Sequence, residues 1–282
     1  MKLSQRPKYE RRNERAAVLV MILLCIPILF IYLSFFSQAF FLDATGEFTL
    51  SNFQFLYAPV QMGQYTADPI GEAFGNTVIF TAVATTLEVT ISCMAGYALA
   101  RMEFAGKRLI SFSLFSLRLF PGVLLLIGVL YVLLHIGILN TLTGVVLVAV
   151  ALRLPGSTFI IRNFFAAIPQ DIENSALVDG CNRLTAFFQV IIHMVKPGLA
   201  SISIFAFMSA WSNYLLFNVL IFNTRTPVLA TYLRNISRND QMIADYGVFA
   251  AMAIIYMLPV LVFFIISQRQ LMQGTISGGK GI

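Results

Sequence analysis

Long apolar runs separated by short polar breaks make up most of the chain. After a head at 1–15 come apolar runs at 16–41, 76–100, 109–134, 142–161, 197–222 and 246–267. Each is long enough to cross a hydrocarbon layer of about 30 Å. The pattern predicts an all-α, polytopic membrane protein with six transmembrane helices. A cleaved leader would pair fewer charges with a shorter apolar core and a small-residue cleavage site, so the first run reads as an uncleaved helix. Because the runs are apolar all round, periodicity does not say which side of each faces a path through the bundle.

The polar breaks differ in kind. Residues 42–69 contain no Lys or Arg, only Asp43, Glu47 and Asp68, and read as an outward loop. RMEFAGKR at 101–108 brings Arg101, Lys107 and Arg108, while HIGILNT at 135–141 holds Gly137 and Asn140, which suit a tight exit. The segment 223–245, with Arg225, Arg234 and Arg238 against Asp240 and Asp245, reads as outward again. Of the 19 Lys and Arg, fourteen fall on the side of the head, three on the other side and two, Arg118 and Arg153, inside runs. The excess of basic residues marks the inner side, so both termini are expected in the cytoplasm. The domain reading is a basic amino terminus at 1–15, a first helix and outer loop at 16–69, a five-helix core at 70–268 with an inner loop at 162–197, and a cytoplasmic tail at 269–282.

The inner loop is the one long polar interruption. PQDIENSALVDGCNRLTAFFQVIIHMVKP, 169–197, opens with Asp171, Ile172 and Glu173, stops at Asp179-Gly180, and continues as a second amphipathic run to Pro197. This is helix, sharp turn, helix, a shape suited to pressing into another protein.

Composition narrows the function. Hydrophobic residues are 58% and charged residues 11% of 282 positions, outside the usual range for a soluble domain. The net charge of +6 is spread over loops beside the runs, where membrane orientation explains it without a nucleic-acid partner. Cys25, Cys93 and Cys181 lie far apart and read as structural thiols; His135 and His193 have no Cys, Asp or Glu at ligand spacing, so no metal site is expected. Gly278, Gly279 and Gly281 do not form a phosphate-binding loop, since no G-x-x-x-x-G-K-[ST] occurs. No catalytic nucleophile-base pair is visible, so the chain is not expected to be an enzyme.

A charge at mid-bilayer depth costs about 2.5 to 3.5 kcal/mol on insertion scales and therefore needs a partner, a watery cavity or a route to the interface. Glu88, Arg118 and Arg153 are the three such residues. Either they lie on a translocation path, where guanidinium groups could hold an anionic or hydroxyl-rich solute, or Glu88 pairs with Arg118 or Arg153 between packed helices and leaves one arginine over. Trp211, Asn213 and Tyr214 form a polar-aromatic patch that suits a sugar ring or helix packing equally.

Pro169, Ile172, Ser175, Ala176, Val178, Asp179, Gly180, Phe187 and Pro197 fall where the inner-membrane permease subunits of ATP-binding-cassette importers keep their EAA loop, and the chain most resembles those of the maltose type. GYALARMEFAGKR at 96–108, FPG at 120–122, WSNYL at 211–215 and the tail QRQLMQGTISGGKG at 268–281 are similar to that family in the same order. Asn174-Ser175-Ala176 replaces the usual Glu-Ala-Ala, Cys181 an alanine and His193 a proline. The resemblance implies a loop that couples to an ATPase through Glu173, Asn174, Ser175, Ala176, Asp179 and Gly180. An amide contact from Asn174, or Glu173 beside it, would replace the family's glutamate ion pair. Ser277, Gly278, Gly279 and Lys280 would reach the same ATPase.

It further implies a bacterial or archaeal inner-membrane protein that imports a sugar or oligosaccharide by alternating access. Its partners would be two copies of a cytoplasmic ATPase carrying ATP and Mg, a second and unlike permease, an extracytoplasmic solute-binding protein and membrane lipid. This chain itself would hold no cofactor. If the two arginines line the path, the saccharide is acidic. A secondary transporter of a small polar solute is the competing reading, since it too would carry many helices and a few buried charges. An intramembrane enzyme is the third.

Overall fold

The computed structural model describes residues 8–42, 46–62, 65–222, 227–237 and 246–278. Among these, the α-helices in chain order are α1 (Lys8–Phe40), α2 (Gly71–Arg101), α3 (Lys107–Leu117), α4 (Gly122–His135), α5 (Leu142–Ala167), α6 (Gln170–Val178), α7 (Arg183–Ala186), α8 (Ile192–Met194), α9 (Lys196–Trp211), α10 (Tyr214–Leu220), α11 (Leu229–Ser237) and α12 (Tyr246–Gly278). A π-helical turn, Phe187–Ile191, joins α7 to α8. The all-α expectation holds, with one small addition: Val60–Met62 pairs antiparallel with Tyr65–Ala67 in the loop after α1.

Among the described residues four helices are long and apolar enough to cross a membrane, and up to six spans result if each of two bent pairs counts as one. Six spans agree with the expected number, and the bends show that they are not all straight. The third run is split into α3 and α4, 107° apart. Pro121 stands as the cap of α4 with extended backbone, where its missing N–H and the restriction it places on Phe120 stop the preceding helix. The fifth run breaks at Ser212-Asn213, because the Asn213 side chain accepts a hydrogen bond from Leu216 N at 3.3 Å and so begins α10 afresh. The sixth run extends without interruption through Gly278, so the first part of the expected tail is helix.

The chain divides into two compact units, 1–69 with 235–256 and 70–234 with 257–282. In the first, Asn52 ties the turn after α1 to that helix's end, its amide donating to Gln38 O (3.2 Å) and Ala39 O (3.1 Å). Phe40 packs against the rings of Phe48 and Phe53 around it. The apolar side chains of α1 from Val18 to Leu33 stand exposed, as expected of a helix whose solvent is lipid.

The second unit is organised by α2, α5 and α9. Gly96 lets α2 approach α5 closely: a Cβ there would lie 2.5 Å from Ile161 Cγ2 and 3.1 Å from the Arg162 backbone N. Two apolar clusters result. One gathers Phe80, Ala84, Val145, Val148, Ala149, Val150, Ala210 and Phe217. The other gathers Cys93, Ile161, Phe165, Phe187, Ile191 and Ile202 at the end where α6 and α7 sit. The tight 135–141 turn takes left-handed backbone at Gly137 (φ 75°) and Asn140 (φ 67°), and Asn140 grips the end of α10 by donating its N–H to Leu220 O and accepting from Phe222 N. Substituting Gly96→Val should overpack the α2–α5 contact at a cost of about 1 to 3 kcal/mol, read as a lower melting temperature in detergent; an unchanged value would refute the close-packing role.

Candidate functional site

Two polar constellations interrupt the apolar packing of the second unit. The first lies between its two clusters. Glu88 on α2 is 2% exposed, and Arg153 on α5 donates to it from Nε at 3.1 Å. Ser157, one turn along α5, donates to the other carboxylate oxygen. Arg153 also donates to Ser209 Oγ and, at 3.0 Å, to Phe205 O, both on α9. One ion pair therefore clasps three helices at the level where the apolar clusters part.

Of the sequence alternatives for Glu88, the pair with Arg153 is the one formed. Arg118, in the bend between α3 and α4, has no polar partner among the described residues. It and Arg153 line a groove of about 470 Å³ with Phe120, Leu152, Gly156, Ser157 and Phe205. Arg118 and Arg153 thus share the groove, and Glu88 is joined to them through its bond to Arg153.

Trp211, Asn213 and Tyr214 do not join them. Trp211 is 2% exposed, its ring stacked on Phe207 at 5.9 Å and edge-on to Phe74 at 6.1 Å. Asn213 caps α10, and Tyr214 receives the Arg234 guanidinium over its ring at 5.5 Å. Of the two readings open for this patch, Trp211 takes the one of helix packing, and Asn213 is a helix cap. Among the described residues His135 bonds its own helix, through Nδ1 and Tyr131 O at 3.0 Å. Among the described residues no group of His, Cys, Asp and Glu could hold a metal ion.

The second constellation is the helix-turn-helix of α6 and α7. Gly180 adopts left-handed backbone (φ 90°), and Cys181 N closes the turn on Ala176 O at 3.0 Å. Asn182 then caps α7, accepting from Thr185 N at 2.8 Å. Asn174, Ser175, Asp179 and Gly180 are exposed, Ala176 is buried, and Val178 and Leu184 are 87% and 71% exposed, so the turn carries uncovered apolar surface.

Glu173 departs from its expected outward role. It is 7% exposed, accepting from Tyr97 Oη at 2.7 Å and facing Arg101 Nε at 3.7 Å. It cannot stand in for a glutamate reaching outward, because its carboxylate is turned into the bundle. Sequence reasoning missed Tyr97 and Arg101. Their signal was available as a phenol and a guanidinium one helical turn apart at the end of an apolar run. Ser277 and Gly278 lie in the last turn of α12; Gly279 and Lys280 lie outside the described residues.

A family model described as the binding-protein-dependent transport system inner membrane component matches residues 88–273, from Glu88 through both constellations. The diacetylchitobiose uptake system permease protein NgcG of Streptomyces coelicolor is 32% identical, over 93% of this chain and 85% of its own. The sulfoquinovosyl glycerol transport system permease protein SmoH of Agrobacterium fabrum is 32% identical, over 77% of this chain and 76% of its own. A crystal structure of a bacterial ABC transporter involved in the import of the acidic polysaccharide alginate superposes with a TM-score of 0.79 at 18% identity, over 94% of this chain and 98% of that one, which is a likeness of fold.

Arg153→Leu strands a buried carboxylate, whereas Arg118→Leu breaks no bond among the described residues. The first should cost roughly 3 to 5 kcal/mol, discounted for the third of Arg153 that is exposed, and the second close to nothing. Thermal unfolding of the two variants in detergent should rank them in that order, and equal melting temperatures would contradict the clasp.

Proposed function

Because the chain belongs to the binding-protein-dependent transport system inner membrane component family, as a multi-pass permease subunit of ATP-binding-cassette importers and not an enzyme, we infer that it carries a saccharide inward, driven by a separate ATPase. The observation that carries this reading is the α6–α7 turn, whose exposed apolar tip, Val178 and Leu184, suits a cleft in a partner. Closure of two ATPase subunits on ATP and Mg would push the turn, and the bundle would exchange inward for outward opening. Such an exchange requires that ATP bind one state better than the other. The partners are an ATPase pair, a second and unlike permease and an external solute-binding protein. The distribution of Lys and Arg supports a cytoplasmic position for both termini and for the turn.

Saccharide is supported by the relatives named for diacetylchitobiose and sulfoquinovosyl glycerol. An acidic saccharide is the finer reading, supported by the excess positive charge that Arg118 brings to the groove shared with Arg153 and by the likeness of fold to the alginate importer. A carboxylate there would find a guanidinium with no competing partner among the described residues.

A cysteine at Val178 should crosslink to a co-purifying ATP-binding-cassette ATPase. Gly180→Val, which forces a β-branched residue into left-handed backbone at a cost of roughly 1 to 2 kcal/mol, should insert normally but lose ATP-driven uptake. Absence of any such crosslink, or full uptake by the variant, would remove the coupling assignment. For the solute, Arg118→Gln should weaken an acidic oligosaccharide roughly tenfold, as loss of a charge-assisted hydrogen bond does, and leave a neutral one of equal length unchanged. Equal effects on both would dismiss the acidic reading.

A further inference from the structure

We propose that Glu173 is a positioning residue, which with Tyr97 and Arg101 latches α6 to the end of α2 and so delivers movement of the turn to Glu88 on that helix, the partner of Arg153. The inference rests on the importer reading above and adds the route of transmission.

Glu173 meets one hydrogen-bond donor and one opposite charge from a single helix. Tyr97 and Arg101 are four residues apart on α2 and face the same way, the phenol at 2.7 Å from one carboxylate oxygen and the guanidinium at 3.7 Å from the other. Arg101 also donates from Nη2 to Ile168 O, the residue that ends α5 just before α6. The Tyr97 ring is wedged against Phe165 (5.6 Å) and Phe187 (4.7 Å), one from α5 and one from the segment after the turn. Three segments that meet the turn are thereby held at one carboxylate.

Burial shows that the attachment is two-sided. Glu173 and Ala176 form the inward face of α6, while Asn174, Ser175 and Val178 form the outward one. A carboxylate removed from water is costly unless paired, and here the pairing comes from α2. The outward face remains free for a partner.

The helix that receives the latch is suited to carrying displacement. Of the spans that line the groove, α3 with α4 is bent by 107°, α9 meets the segment before it at 77° and ends at the Ser212-Asn213 break, and α5, which carries Arg153 and leads into α6, has Pro155 within it. By contrast, α2 runs unbroken for 31 residues with no proline. Glu88 lies nine residues before Tyr97, about 14 Å along the axis at helical rise, and it is Glu88 that fixes Arg153. A shift of the turn would therefore reach the groove through one rigid element.

The test uses the assembled complex in nanodiscs, with Mg and ATP as the only probes. Spin labels replace Met94 on α2 and Leu124 on α4, in a background where Cys25, Cys93 and Cys181 are replaced. In the otherwise wild-type complex ATP should change the distance between the labels. With Glu173→Gln the complex should still assemble and hydrolyse ATP, but the fraction of molecules that ATP shifts should fall roughly tenfold, within the usual range of coupling between sites. Tyr97→Phe should lower it less, and the two together should be no worse than Glu173→Gln alone. An undiminished ATP response in both single variants would overturn the proposal. So would loss of assembly in Glu173→Gln combined with an undiminished response in Tyr97→Phe. If the complex with native Glu173 and Tyr97 shows no ATP response at all, it is the importer reading that fails.

Discussion

A carboxylate held almost wholly out of solvent between two apolar clusters is tolerable only when its charge is met on every side. Arg153 and Ser157 meet that of Glu88 from α5, and Arg153 spends its remaining donors on Ser209 and Phe205 of α9. The apolar clusters above and below lack direction and would accept small slips in helix register. The ion pair does not, because its geometry is satisfied at one register of three helices. Whether such a pair adds net stability is a separate matter from what it specifies, since buried pairs often contribute little against an apolar substitute.

The same division between packing and direction recurs at the α6–α7 turn. Phe165, Phe187 and Ile191 supply bulk, and Tyr97, Arg101 and Glu173 fix the angle at which α6 leaves the bundle. Two acidic residues, Glu88 and Glu173, thus do comparable work at two depths of one helix bundle, each from a position nearly closed to solvent.

Much of this was legible in the residues. The Asp179-Gly180 stop marked the turn because only glycine takes left-handed backbone without penalty, and the structure has φ 90° there. The Glu88–Arg153 pair was one of the arrangements that hydrocarbon would permit. What was not legible depends on which way side chains point. Runs that are apolar all round carry no facial signal, and in the polar loop Glu173, with exposed neighbours Asn174 and Ser175, read as outward until tertiary packing turned it to α2. The break at 118–121 was hidden for a similar reason. Phe120, Pro121 and Gly122 are all apolar, so hydropathy runs through them, although the proline ends α3 on backbone grounds alone.

That break has a further consequence. A helix interrupted inside hydrocarbon forfeits the next-turn partners of its last carbonyls, and lipid offers nothing in exchange. The Leu117–Phe120 stretch can persist at membrane depth only beside a hydrated channel or another protein's polar surface. Bulk water reaching Arg118 along that stretch would make the guanidinium's solvation, and not a counter-ion from its own chain, the reason the bilayer tolerates it.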